Sequence, residues 1–454
     1  MKNLFLLVLS LLSPIAINAQ CWSSISAKNG QSAGIKNDGS LWTWGYNGEG
    51  QLGDGTTVNK NTPVLISGPA DWKIISSGYH HMVALKKNNT LWTWGSNENG
   101  QLGNGTNTPS SVPLQIGSET DWKMVSGGGR HNLALKNNGT LWAWGGNVYG
   151  SLGDGTIADK LYPTQIGTDN NWLYICAGQN NSFAIKTDGT LWAWGQNYYG
   201  TLGDGTIIDR IVPTQIGIAS NWAKISSGYG HTIAIRKDGT LWTWGWNTYG
   251  QLGDNTYIDK FSPTQIGTDT NWININAGGY HSLAIKTNGT LWGWGYNNFG
   301  QLGNGSNTGI NSLIQIGSET NWSDIALSFQ HSIIINNNGN LFSCGYNSDG
   351  RLGIGTNQHK NIPTNVNCQN LNNESFPETS PFILYPNPVS DKLFIINAEN
   401  SIIEKMSLHE VTGKTIMELQ GNISEIDVQQ LESGIYFLQI SINGKNQTKK
   451  IIKQ

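Results

Sequence analysis

The chain has 454 residues, among them 58 Gly and 20 Trp, while charged residues make up only 13%. An average soluble chain carries ~7% Gly and ~25% charged residues, so this balance points to a turn-rich β protein. Lys and Arg number 27 against 30 Asp and Glu, a formal net charge of −3, which excludes charge-driven binding of nucleic acid or of an anionic membrane.

At the N-terminus Lys2 precedes an apolar run from Leu4 to Leu12, then Ser13-Pro14 and Ile15-Ala16-Ile17-Asn18-Ala19-Gln20. This three-part form is that of a secretory signal peptide, with cleavage expected after Ala19. The run is too short to cross ~30 Å of hydrocarbon, and no later stretch of ~18 apolar residues follows, so no transmembrane segment is expected. Export permits disulfides among Cys21, Cys176, Cys344 and Cys368.

The string Leu-Trp-x-Trp-Gly begins at Leu41, Leu91, Leu141, Leu191, Leu241 and Leu291, and a degenerate copy, Leu341-Phe342-Ser343-Cys344-Gly345, follows at the same 50-residue spacing. A second series, Trp22, Trp72, Trp122, Trp172, Trp222, Trp272 and Trp322, keeps step. Together with Trp246 these account for every tryptophan, so nearly all are scaffold. Each unit alternates, turns at a pair such as Asp38-Gly39 or Asp238-Gly239, and enters Thr-Leu-Trp-x-Trp-Gly. That pattern predicts a hairpin with a two-residue type I′ turn. Trp92 and Trp94, two apart, share one face of their strand, with Leu91 and Thr93 on the other. A short strand at Pro163 to Ile166, Pro213 to Ile216 and Pro263 to Ile266 ends the units.

A unit of about four short strands cannot cover both faces of its own sheet, whereas radial packing of several can. Seven copies predict an all-β fold, a seven-bladed β-propeller over residues 20–368. By the period, Cys368 falls three positions before the equivalent of Cys21, so a closed ring brings them together, and a Cys21–Cys368 disulfide is expected to clasp it. Cys344 stands at a scaffold Trp position and Cys176 in the first strand of its unit; both are expected as buried thiols.

The stretch Gly228-Tyr229-Gly230-His231 to Asp254-Asn255-Thr256 carries Gly-x-x-His, Asp238-Gly239, Trp244-Gly245-Trp246-Asn247 and Gly250-Gln251-Leu252-Gly253. On these landmarks the repeat resembles that of the regulator of chromosome condensation family, over about Trp22 to Val366. The resemblance implies the propeller and says little of activity, because one fold hosts many functions. The family's eukaryotic founder exchanges nucleotide on a small GTPase through an inserted wedge. The unbroken 50-residue spacing leaves no room for one, and exchange is not expected here. Secreted bacterial members, among them an inhibitor of β-lactamases, make protein binding the alternative implied.

Composition changes beyond Cys368. Residues 369–381 form a polar, Pro-containing linker, and 382–454 lose Trp and gain Ile, Lys and Glu. Short alternating strands predict a small C-terminal β-sandwich. Tyr385-Pro386-Asn387-Pro388, the Gly434-x-Tyr436 strand and the basic end with Lys449 and Lys450 are similar to the C-terminal sorting domain of the type IX secretion system of Bacteroidetes. The resemblance implies that export machinery as partner, and an outer-surface or released destination.

His81, His131, His231, His281 and His331 share one repeat position, with Gln31 and Asn181 in the other units. Gln and Asn as substitutes fit hydrogen bonding to backbone groups better than metal ligation, and no cofactor is expected. Asp154/Asp159, Asp204/Asp209 and Asp254/Asp259 are each followed by Lys160, Arg210 or Lys260, which predicts ion pairs and turn caps rather than a calcium site. No nucleophile elbow, phosphate loop or zinc-binding helix appears, so the chain is not read as an enzyme; loop carboxylates converging in a hydrolase-like site are the remaining enzymatic alternative. The loop after Trp-Gly holds Tyr46, Tyr149, Tyr198, Tyr199, Trp246, Tyr249, Tyr296, Phe299 and Tyr346. Tyr149, Tyr198, Tyr199, Trp246, Tyr249, Tyr296 and Phe299 are the expected ligand-binding set, for an extracellular glycan or protein. Packing of these rings between blades is the competing expectation, and inhibition or masking of a partner protein the competing role.

Overall fold

The computed structural model describes residues 22–366 and, with short breaks, 382–453. Cys21 and Cys368, and with them the expected disulfide, lie outside the described residues, as do the expected signal segment and the expected linker. The chain divides into two compact units, Met1–Cys368 and Gln369–Gln454.

Each repeat in the first unit folds into one antiparallel sheet. In the first, β1 (Trp22–Lys28), β2 (Gln31–Lys36), β3 (Leu41–Gly45) and β4 (Lys60–Leu65) lie side by side in chain order. The same four strands recur as β5 to β28, ending with β25 (Trp322–Leu327), β26 (His331–Asn336), β27 (Leu341–Gly345) and β28 (Lys360–Val366), so there are seven four-stranded sheets. Strand alternation places Trp92 and Trp94 opposite Leu91, and neighbouring blades use both faces. Trp72 and Trp94 of the second blade pack on Ala33, Ile35, Leu41 and Ile66 of the first, while Val83, Leu85 and Leu91 receive Trp122 and Trp144 of the third.

The ring closes on the same contacts. The Trp22 amide donates to the Gly339 carbonyl at 3.1 Å, as Trp72 does to Gly39. Gly355 donates to Asn61 at 2.8 Å, as Gly55 does to Ser111. Trp22 and Trp44 share a core with Ile333, Ile335 and Leu341 of the seventh blade. Each blade is one continuous stretch of chain, and among the described residues no strand is exchanged between the ends.

Two expectations are corrected in detail. The hairpin turn is not type I′. Gly39 alone has positive φ, at 89°, its amide donates to Lys36 at 2.8 Å, and Lys36 donates to Ser40 at 2.9 Å. This is the three-residue form, a type I turn with glycine in the left-handed position, and the Asp38 carboxylate fixes it by accepting from the Ser40 amide and hydroxyl. The fourth strand also begins earlier than its Pro-Thr-Gln-Ile core: in the third blade it runs Lys160–Gln165. As the edge strand it tolerates Pro163, which has no N–H to donate.

Loops from first to second and from third to fourth strand emerge together on what is here termed the loop face. Second-to-third turns and the connections between blades form the opposite, turn face.

In the second unit β29 (Phe382–Tyr385), β30 (Lys392–Asn397) and β33 (Glu425–Asp427) form one sheet. The other comprises β32 (Thr415–Gln420), β31 (Ile403–Glu410), β34 (Gly434–Ile442) and β35 (Lys445–Lys453). Leu393, Ile395 and Ile426 of one sheet share a core with Met406, Leu408, Leu438 and Ile440 of the other, which makes a small sandwich.

Candidate functional site

Beneath the loop face lies a ring of buried polar staples. His81 Nε2 meets Asn132 Oδ1 of the next blade at 2.9 Å; His131, His231 and His281 meet the hydroxyls of Ser182, Ser282 and Ser332 at 2.9 Å, and His331 closes the ring on Ser32 at 2.7 Å. The partner is thus a side chain of the next blade, not the backbone group expected from sequence. The backbone comes one step later, since Ser282 donates to the Gln251 carbonyl at 3.0 Å and Ser182 to that of Ser151 at 2.7 Å. A hydroxyl that gives its proton to a carbonyl must accept from histidine, which assigns the proton to Nε2. The Gly-x-x-His landmark follows from packing: a Cβ at Gly78 would stand 2.1 Å from the His81 ring. Burial drives the imidazoles toward neutrality, lowering His81 to about 4 and His131, His231 and His281 to about 3.

One side chain crosses the propeller axis. Lys28 stands where five other blades carry glycine, and its Nζ donates to the carbonyls of Gly127 at 2.9 Å and Ala177 at 2.8 Å, in the third and fourth blades. Desolvation lowers its pKa to about 8, opposed by Cys176 nearby. Below it, the axial cavity of about 300 Å³ is lined by inner strands of all seven blades.

Above this scaffold the loop aromatics join into one layer. Tyr199 stacks on Trp246 across two blades at 4.6 Å and 11°; Trp246 meets Tyr249 at 5.6 Å, Tyr249 meets Tyr296 at 5.1 Å, and Phe299 meets Tyr346 at 5.0 Å. Tyr198 stands edge-on to Tyr199 and is 68% exposed, and Tyr249 is 38% exposed; the other rings are half-buried. Packing between blades and presentation to solvent therefore coexist. Tyr149 is half-buried and, among the described residues, joins no ring pair, and Tyr46 of the first blade pairs with His80 of the second.

Sequence reasoning missed the inner part of this layer. Tyr229, Tyr280 and Phe329 come from first-to-second strand loops, with Tyr229–Phe329 centroids at 5.4 Å and Tyr280–Phe329 at 4.8 Å. Trp246 reaches Tyr280 at 5.3 Å, which fuses the two sets. A signal was present for two of the three: two positions before the repeated His, the seven units read Asn29, Tyr79, Gly129, Gln179, Tyr229, Gly279 and Phe329, whereas Tyr280 lies one position before its His.

The loop carboxylates are spent on local structure. Asp154 accepts from the Asn147 side chain and the Thr156 amide and hydroxyl, and pairs with Lys160 at 3.1 Å; Asp159 caps the Asn147 amide at 2.8 Å. Arg210 Nε reaches Asp204 at 2.7 Å, and Lys260 reaches Asp254 at 3.5 Å. Burial alone would raise the Asp154 pKa; hydrogen bonds from Thr156 and Lys160 outweigh it and leave the pKa lowered. Among the described residues no group of three or more His, Cys, Asp or Glu could hold a metal ion. Cys344 is a buried free thiol, pushed up to about 12 by desolvation, and Cys176 is free and half-buried.

In the tail, Asn387 Oδ1 accepts from the Ile452 amide at 2.8 Å, and Tyr436, buried, donates its hydroxyl proton to the Glu432 carbonyl at 3.0 Å. Gly434 opens β34, and Lys449 and Lys450 lie in β35 opposite Leu438 and Phe437. Tyr385 ends β29, while Pro386 and Pro388 lie outside the described residues.

With the ring and its loops in place, comparison with known proteins is direct. Regulator of chromosome condensation (RCC1) repeats match residues 38–85, 88–135, 138–185, 188–235, 238–285, 288–335 and 338–378. The chain belongs to this repeat family. Residues 383–454 match the secretion system C-terminal sorting domain, so this is a propeller exported by the type IX route to the cell surface or beyond. Among solved structures, human WBSCR16 is 22% identical with a TM-score of 0.66, over 72% of this chain and 94% of that one. Prp20p from Saccharomyces cerevisiae is 21% identical with a TM-score of 0.67, over 81% and 90%. These likenesses concern the fold. No curated protein matches the chain.

Proposed function

We propose that the propeller is a recognition platform that holds an extracellular glycan or protein against the aromatic layer of its loop face. The observation that carries the reading is the stack of Tyr199 on Trp246, continued through Tyr249, Tyr280 and Tyr296 on a single face. Rigid rings with polar tips give large contact area at low entropic cost, which suits both sugar stacking and protein hot spots. The loop carboxylates, engaged in turn caps and ion pairs, give the enzymatic alternative no support. The sorting tail delivers this surface to the medium or the outer face of the cell.

The test is a screen of the mature secreted protein against polysaccharide and surface-protein arrays, with Trp246→Ala and Tyr199→Ala alongside. A ligand whose affinity falls by ~30-fold or more in both variants, the scale of a hot-spot aromatic, supports the reading. A ligand bound equally by parent and variants contradicts it.

A further inference from the structure

In six blades a cation lies between two indoles near the turn face. Lys36, Lys86, Lys136, Lys186, Arg236 and Lys286 each stand over the first-strand Trp and the first Trp of Leu-Trp-x-Trp, 3.6 to 5.3 Å from the ring centroids. Carboxylates complete several of these sites: Asp169 holds Lys186 and Asp269 holds Lys286, both at 2.7 Å.

The seventh blade keeps the cage and omits the cation. Trp322 and Phe342 face each other edge-on at 5.2 Å, and Glu319 stands at the repeat position of Asp169 and Asp269. The cation's position belongs to Asn336, paired with Trp322 in the register where Lys36 pairs with Trp22. Asn336 turns back on its own hairpin, its Oδ1 accepting from the amides of Asn338 at 3.1 Å and Asn340 at 3.0 Å. A further substitution removes bulk: Phe342 stands where the other blades have tryptophan. What results is a cavity of about 440 Å³ between the sixth and seventh blades, lined among others by Ile316, Glu319, Trp322, Asn336, Phe342 and Pro363.

We propose that this cavity binds an alkylammonium group, such as the end of a lysine side chain, in the place that six blades fill with their own Lys or Arg. The ring faces of Trp322 and Phe342 attract the charge, Glu319 supplies the counter-ion, and Ile316 and Pro363 take the alkyl stem. The site is separate from the loop-face aromatics and does not depend on their role.

The experiment is calorimetric titration of the mature secreted protein with n-butylammonium, and with n-butanol as the neutral analogue of similar shape. Binding of the ammonium ~3- to 30-fold tighter than the alcohol is expected, the range of a cation–π contribution. Asn336→Lys restores the residue of the other blades and should abolish ammonium binding by filling the cage from within. Phe342→Leu keeps an apolar wall but removes one of the two π faces, and should narrow the preference for the charged ligand. Equal affinity for butanol, no binding of butylammonium, or undiminished binding by the Asn336→Lys variant would each overturn the proposal.

Discussion

His231 opens a strand and Tyr229 stands two residues before it in the preceding loop, yet their environments follow opposite rules. The histidine reaches Ser282 of the next blade at 2.9 Å, fully buried, and the same staple recurs at His131, His281 and His331. The tyrosine position carries Asn29, Gly129, Gln179 or Phe329 elsewhere, and its ring lies in a half-buried layer that spans neighbouring blades. What most blades repeat is what joins blades. What the blades do not repeat is concentrated on one face, above a frame stiff enough to hold it in place.

The largest effect that separates the two layers is acidification. Burial lowers His81, His131, His231 and His281 to about 3 to 4 in the folded chain, against 6.5 when unfolded, so the unfolded chain binds their protons first. Stability from this source is fully present above pH ~6.5 and is lost as pH falls toward the folded values, by ~2 kcal/mol per histidine by pH ~5. Urea unfolding at neutral and mildly acidic pH checks this, and a His231→Gln variant should flatten the dependence. Next comes Trp244→Ala: the indole is fully buried and donates to the Thr201 carbonyl at 2.8 Å. A loss of ~3–5 kcal/mol in the same unfolding assay is expected.

His231→Ala leaves the Ser282 hydroxyl without its donor and opens space beside Gly228, which should cost ~1–3 kcal/mol. The smallest effect on stability belongs to Asp204→Asn. Asn104 and Asn304 cap the same turn in their own blades, so only the pair with Arg210 is lost, and a change under ~1 kcal/mol is expected in thermal melts. A large loss there would mean that the loops, not the staples, hold the blades together.

The ring itself was legible in the sequence, because a strict 50-residue period with alternating Trp and Leu leaves few ways to bury both sheet faces. The ion pairs at Asp154, Asp204 and Asp254 were legible for a similar reason, each having a cation six residues on. Turn type was not: Asp-Gly serves both a two-residue turn and a type I turn with a following left-handed glycine, and only the backbone distinguishes them. The inner aromatics Tyr229, Tyr280 and Phe329 escaped because they come from loops some 15 residues away from the Trp-Gly loop, at positions where glycine is equally common. The crossing of Lys28 to the third and fourth blades depends on ring curvature, which periodicity does not encode.

The central claim is that recognition belongs to the loop-face aromatics and stability to the staples beneath. The most direct measurement pairs ligand affinity with the thermal midpoint for Trp246→Ala and Trp244→Ala, two residues apart on one chain. The account predicts that Trp246→Ala loses affinity while its midpoint stays within a degree or two, and that Trp244→Ala drops the midpoint by several degrees. Equal destabilisation by both, or full affinity retained in Trp246→Ala, would contradict it.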